Sequence, residues 1–131
     1  MKILILVARI LLGLAFFVVG LNHIVTFLPQ PAMPPGDMTS MVMLMNGHGW
    51  FKLYGFVEAA GGLMLLFGRF VPLGLTLIGA VGVNILLFGF TLAPSQLYLP
   101  LFLAILEVIL VFAYREYFRG IFTGKATPVW K

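Results

Sequence analysis

The chain has 131 residues, of which 62% are hydrophobic and only 9% are charged, and its formal net charge is +4. Because about a quarter of the residues in a soluble domain are charged, this composition predicts a single all-α integral membrane domain over residues 1–131. The basic residues form no continuous patch, which argues against nucleic acid as a partner. The absence of cysteine excludes disulfides, thiol redox relays and thiolate metal sites, and with them an enzyme like vitamin K epoxide reductase.

Four apolar segments are each long enough to cross a membrane, which requires about 20 residues. The first begins close to Met1 and stays apolar up to Leu28, so we interpret it as a retained span and not as a signal peptide. Short turns separate the second span from the third and the third from the fourth. The pattern predicts a four-transmembrane-helix bundle with spans at about 3–28, 50–68, 72–92 and 97–118.

The loop at 29–49 differs from the two short turns. It opens with PQPAMPPG, which is incompatible with a helix, whereas Asp37 is a suitable N-cap and Asn46-Gly47 a suitable stop. Between them, four apolar residues recur at the i, i+3, i+4, i+7 spacing of one helical face. We therefore predict a short interfacial helix that covers the bundle, with an apolar stripe formed by Met38, Met41, Val42 and Met45.

The basic residues predict the orientation. Lys2, Arg69 and the four basic residues from Arg115 onward fall on one side of the predicted bundle, and Lys52 falls on the other. Positive residues concentrate on the cytoplasmic side of a membrane. The sequence thus predicts cytoplasmic N- and C-termini, a lipid bilayer as the surroundings and a bacterial inner membrane as the location.

Polar residues inside the spans form the main candidate site. Glu58 and Glu107 lie in apolar runs near the middle of their spans, where a carboxylate is costly and commonly functional. Arg9 is expected to pair with one of them. The cluster is open to two interpretations: a site for a proton, a cation or a quinone headgroup, or a polar clasp that fixes helix register. The predicted intramembrane cluster comprises Arg9, Glu58, Asn84 and Glu107.

Two further sets of residues are candidates. Small residues let transmembrane helices approach closely, and Gly13 and Gly20 in the first span and Gly55 and Gly62 in the second are predicted to serve helix packing. Histidine and thioether side chains at the outer face could form a ligand or metal site. The pattern there is short, so interfacial hydrogen bonding by the histidines is favoured over haem or copper ligation. This second set comprises His23, His48, Met41 and Met45.

Two stretches, ARILLGLAFFVVGLNHI and GFVEAAGGLMLLFGRFVPLG, resemble the DoxX and DoxX-like family of small four-span membrane proteins. The resemblance extends over roughly residues 5–118. It implies a four-helix bundle and an association with redox systems, because family members include a subunit of thiosulfate:quinone oxidoreductase and partners of oxidative-stress enzymes. Quinone is the cofactor it implies. The positions that match are Arg9, Asn22, Glu58, Gly61, Gly62 and Arg69.

Three functions remain open from the sequence, and it does not decide whether the chain itself catalyses a reaction. The first is a redox-associated membrane subunit that contacts quinone or an oxidoreductase partner. The second is a non-catalytic structural or assembly subunit of a larger membrane complex. The third is a small proton-coupled transporter; the small multidrug-resistance proteins carry their essential acid in the first span, however, where this chain has Arg9.

Overall fold

A computed structural model describes residues 1–28, 35–92 and 94–129 of the chain, and all of their regular structure is helical. The all-α prediction is thereby confirmed. Two short 3-10 segments accompany the five α-helices, one at Pro94–Gln96 and one at Arg115–Phe122. The α-helices are α1 (Lys2–Ile24), α2 (Asp37–Gly47), α3 (Trp50–Phe67), α4 (Val71–Leu92) and α5 (Tyr98–Ala113).

The first helix ends before the apolar run does. The Oδ1 atom of Asn22 accepts hydrogen bonds from the backbone N–H groups of Phe27 and Leu28, at 3.1 and 3.0 Å. These bonds hold the chain in a turn after Ile24, because a side-chain acceptor replaces the next helical carbonyl. Residues 29–34, where the non-helical start of the loop was predicted, lie outside the described residues.

The prediction for the fourth span, 97–118, is wrong at its C-terminal end. Helix α5 ends at Ala113, and the chain then bends by 83° into the Arg115–Phe122 segment. At this point the apolar run gives way to charged residues. Arg115 also donates to the backbone oxygen of Phe112 at 2.9 Å, and its guanidinium lies 4.6 Å from the centre of the Phe112 ring. Arg115 thus satisfies a carbonyl at the end of the helix.

Three helices of the described chain, α1, α3 and α4, are long and apolar enough to cross a membrane, and a fourth span results if α5 and the bent segment after it are taken together. The 16 residues of α5 alone extend about 24 Å at roughly 1.5 Å per residue. The fold is therefore compatible with a membrane protein of three or four spans.

Helices α1, α3, α4 and α5 form a ring in which each one runs antiparallel to its two neighbours. Helix α2 packs against α3 and α4 at one end of the ring, which we call the α2 end. The opposite end, called the turn end, holds the tight α3–α4 turn. There Gly68 and Phe70 have positive φ angles of 69° and 57°, and a flexible glycine is suited to the first of these positions.

The closest contact in the ring is between α1 and α3, and it depends on glycine. A methyl group added to Gly20 would lie 2.5 Å from the backbone nitrogen of Ala59, and one added to Gly62 would lie 2.5 Å from that of Phe17. The two backbones therefore touch directly. Adjacent to Gly62, Gly61 faces the opposite neighbour, α4. The four glycines predicted for packing, Gly13, Gly20, Gly55 and Gly62, all lie at the α1–α3 contact.

The apolar core fills only one half of the ring. Its fully buried side chains come from all four helices and lie toward the turn end. The half near the α2 end contains a cavity instead. The largest fully buried apolar residues are Leu12, Leu65, Leu75, Ile78 and Leu110.

Helix α2 presents its predicted apolar stripe to the ring. Met45 is buried and the other three stripe residues are partly buried, whereas Met43 and Leu44 on the opposite face are exposed. The sequence pattern therefore predicted both the helix and its inward face.

Candidate functional site

A cavity of about 640 Å³ lies in the α2-end half of the ring, beneath α2 and between α1, α3, α4 and α5. Its volume falls within the range of about 300–1,000 Å³ that is usual for small-molecule sites. Most of its wall is apolar. The polar side chains along it are few: Asn22, His23, Thr26, Asn46, Tyr54, Glu58, Asn84 and Glu107.

Glu58 is the most deeply buried polar residue of the site, with 1% of its surface exposed. Its Oε1 atom lies 3.1 Å from Nδ1 of His23, so helix α1 supplies the partner for a carboxylate on α3. The glycine contact between α1 and α3 brings the two side chains within reach. The Oε2 atom of Glu58 is buried and has no hydrogen-bond partner among the described residues.

His23 connects this carboxylate to the α2 end. Its side chain is 28% exposed, and it lies one residue before the end of α1. The imidazole packs against the ring of Phe51, with 5.2 Å between the ring centres. With its hydrogen on Nδ1, the imidazole donates to Glu58 and is held in one orientation by the ring contact.

Glu107 reaches the cavity from α5. A methyl group added to Gly79 of α4 would lie 3.1 Å from its Oε1 atom, so the glycine provides the space in which the carboxylate approaches α4. Its Oε2 atom is buried, and no hydrogen bond to it is present in the part of the chain that the structure describes. Two helices on opposite sides of the ring, α3 and α5, thus each bring an unpartnered buried carboxylate oxygen to the cavity.

Arg9 lies elsewhere, and the expectation that it pairs with a glutamate is wrong. Its Nη1 atom donates to the hydroxyl of Tyr114 at 3.5 Å, and its guanidinium adjoins Gly68 at the C-terminal end of α3. The carbonyl groups at such an end carry partial negative charge, which favours a cation. Since Gly20 faces Ala59, Arg9 lies roughly 16 Å along α1 from the level of Glu58. Among the described residues it forms no ion pair with either buried glutamate.

Asn84 lies at the rim of the cavity. Its side chain is exposed and donates from Nδ2 to the carbonyl of Ala80 at 3.0 Å. It also borders a second cavity of about 430 Å³ toward α2. The structure thus brings Glu58, Glu107 and Asn84 of the predicted cluster to one cavity and leaves out Arg9.

The predicted histidine and methionine set is divided between the two cavities. His23 and Met41 line the larger one, and Met45 and His48 line the smaller one. Within the described ranges, no three His, Asp or Glu side chains come together in a group that could hold a metal ion. Of the two histidines, His23 has a hydrogen-bond partner in Glu58.

The remaining positions of the DoxX resemblance are spread over the α1 end, the helix contacts and the turn end. Asn22 ends α1, Gly61 and Gly62 form close helix contacts, and Arg69 is exposed in the α3–α4 turn. Sequence reasoning missed the His23–Glu58 pair. One signal was present: Gly13 and Gly20 are seven residues apart, as are Gly55 and Gly62, which indicates the antiparallel register that places His23 near Glu58.

Comparison of the chain with protein-family models, with curated proteins and with solved structures found no match. A function must therefore be argued from the cavity and its polar groups.

Proposed function

We propose that this chain is an integral membrane protein that acts as a redox-associated subunit and binds a quinone in the cavity beneath α2. Its apolar helices support the membrane assignment. The distribution of basic residues favours cytoplasmic termini in a bacterial inner membrane. The redox association is supported by the resemblance to DoxX-like proteins described above.

The observation that carries this proposal is the pair of unpartnered carboxylate oxygens, Oε2 of Glu58 and Oε2 of Glu107, beside an apolar cavity. Buried polar atoms in proteins almost always have a hydrogen-bond partner, so the missing partners point to a ligand. That ligand must be mainly apolar and must carry polar atoms toward two different helices. A quinol ring, with a hydroxyl donor at each of two opposite positions, has these properties, and the carbonyl oxygens of its quinone form can accept from the same two carboxyl groups when these carry a proton.

The role of this chain is to hold the quinone, and an oxidoreductase partner exchanges electrons with the bound quinone. Two electrons and two protons convert a quinone to its quinol. The chain has no cysteine and hence no thiol relay that could store electrons, so we assign the electron exchange to a partner. Glu58 and Glu107 lie where they could accept or donate the protons of the ligand hydroxyls.

Native mass spectrometry of the gently extracted protein, together with an absorbance spectrum, tests the proposal. We expect a bound quinone in the wild type. Glu58→Gln and Glu107→Gln should each lower the bound fraction at least tenfold, the equivalent of about 1.4 kcal/mol, because each variant alters a hydrogen bond to the ligand. Glu116→Gln is the matched control, since Glu116 is exposed and pairs only with Arg119 among the described residues.

A protein partner bound without any quinone would contradict the proposal and favour the structural or assembly subunit. Equal quinone occupancy in the two cavity variants and the control would retain quinone binding but exclude this cavity as its site.

A further inference from the structure

The cavity reaches the surface of the ring between α4 and α5. Val83 of α4 and Val108 of α5 both line it, and yet 67% of the surface of each is exposed. Both lie toward the middle of their helices. The cavity therefore has a lateral opening at mid-helix in addition to the end covered by α2.

Small residues keep this opening free. A methyl group added to Gly82 would meet nothing within 4 Å, so the adjacent space is empty. One turn earlier, Gly79 faces the Glu107 carboxylate, and Ala104 on α5 also lines the cavity. At the observed separation of α4 and α5, the small side chains on the two helices leave the space between them unfilled.

Apolar residues border most of the opening, and Asn84, the exposed polar residue next to Val83, already donates from Nδ2 to the carbonyl of Ala80. Val83, Leu86 and Val108 border the gap, whereas Asn22 and Asn46 lie toward α2. An apolar gap at mid-helix depth in a membrane-spanning bundle faces acyl chains and not water. It can accept a hydrocarbon chain without leaving a polar group unsatisfied.

We propose that the ligand is a long-chain lipid quinone that enters from the bilayer, with its ring beside Glu58 and Glu107 and its apolar tail leaving between Val83 and Val108. This inference rests on the proposed function and adds the class of quinone and its path. A quinone without a tail would leave the lateral gap unfilled.

A photoreactive quinone with a diazirine at the end of a decyl tail tests this path in the full-length protein in lipid nanodiscs. We expect crosslinks on the α4 and α5 peptides that contain Val83 and Val108, and their suppression by excess unlabelled quinone. Val83→Trp and Val108→Trp should each reduce the suppressible crosslinking severalfold by filling the gap. Leu73→Trp is the control, because Leu73 is an exposed α4 residue that does not line the cavity.

Suppressible crosslinks confined to α2 would overturn the lateral path and leave quinone binding intact. If no crosslink is suppressed by unlabelled quinone and native mass spectrometry finds no bound quinone, the proposed function itself fails. The wild-type crosslinking pattern decides the path even if a tryptophan variant does not fold.

Discussion

The carboxylate of Glu58 is buried within an apolar helix and, in the described part of the chain, has a single histidine as its partner. A buried carboxylate without a partner is strongly destabilising. The pair therefore fixes the positions of α1 and α3 as well as shaping the cavity. His23 is the more exposed residue of the pair and lies nearer the α2 end. A change at that end would therefore reach Glu58 through His23.

Replacement of His23 should test this pair. His23→Phe keeps an aromatic ring against Phe51 but removes the nitrogen that contacts Glu58, so we expect a loss of about 1–3 kcal/mol in the free energy of unfolding. A double-mutant cycle with Glu58→Leu, measured by reversible unfolding in detergent, should give a coupling energy above roughly 0.5 kcal/mol. His48→Phe is the control, since His48 is exposed at the same end. Additive effects would contradict the pairing.

The glycines of the α1–α3 contact allow a second prediction. Gly20→Ala places a methyl group 2.5 Å from a backbone nitrogen that cannot move without the whole helix. We expect it to lower the stability by about 1–3 kcal/mol, as overpacking commonly does. Gly82→Ala, in an open part of α4, should instead be neutral or stabilising by up to about 1 kcal/mol. Thermal unfolding of the two variants provides the comparison, and equal transition temperatures would argue against direct backbone contact.

At the level of elements, α2 is the only α-helix outside the ring in the described chain, and its stability there depends on its methionine face. Met45 is buried against the ring, whereas Met43, two residues earlier, is 69% exposed. Unbranched methionine packs well against irregular surfaces such as a cavity rim. The helix is thus held by apolar contacts that can adapt to a ligand below it.

These two methionines give a matched test of how α2 is attached. Met45→Ala should reduce the free energy of unfolding by on the order of 1–2 kcal/mol. This loss is smaller than for a methionine that is packed on all sides, because Met45 also borders the smaller cavity. Met43→Ala should change the free energy of unfolding by less than about 0.5 kcal/mol. Hydrogen exchange of the α2 amides reports the effect locally. Equal exchange in both variants would show that the predicted face does not anchor α2.

At the level of the whole molecule, the ring divides into a packed half and a hollow half. Leucine and isoleucine dominate the turn end, whereas the other half holds the cavity, whose wall is mostly apolar and includes the carboxylates of Glu58 and Glu107. The packed half supplies rigidity, so the cavity can persist without collapse of the ring. The candidate ligand site therefore lies in the half of the ring that is next to α2.

The proposed orientation can be tested because the chain has no cysteine. Single cysteines introduced by Ser40→Cys in α2 and Arg69→Cys in the α3–α4 turn lie at exposed positions on opposite ends of the ring. In intact cells, a membrane-impermeant maleimide should label the first variant and reach the second only after permeabilisation. Labelling of both in intact cells would contradict a membrane-spanning arrangement, and the reverse pattern would invert the orientation.

The sequence by itself determined the elements of this protein. Apolar runs separated by turn residues predicted the helices, and the methionine spacing predicted the inward face of α2, because both depend on local composition and period. The equal spacing of the two glycine pairs, together with the antiparallel course of consecutive spans, also predicts how α1 is aligned along α3. The end of α5 was missed, although the apolar run gives way to charged residues after Ala113 and Arg115 donates to the carbonyl of Phe112 there.

Only the tertiary structure decided which group each buried charge meets. Glu58 contacts His23, and Arg9 lies against Tyr114 and the end of α3. These pairings depend on the relative heights of side chains on different helices. If one helix were shifted by one turn along its neighbour, those heights would change by about 5.4 Å. The cavity has the same origin, because residues of several separate helices line it together. Hydropathy along one chain carries no information about that space.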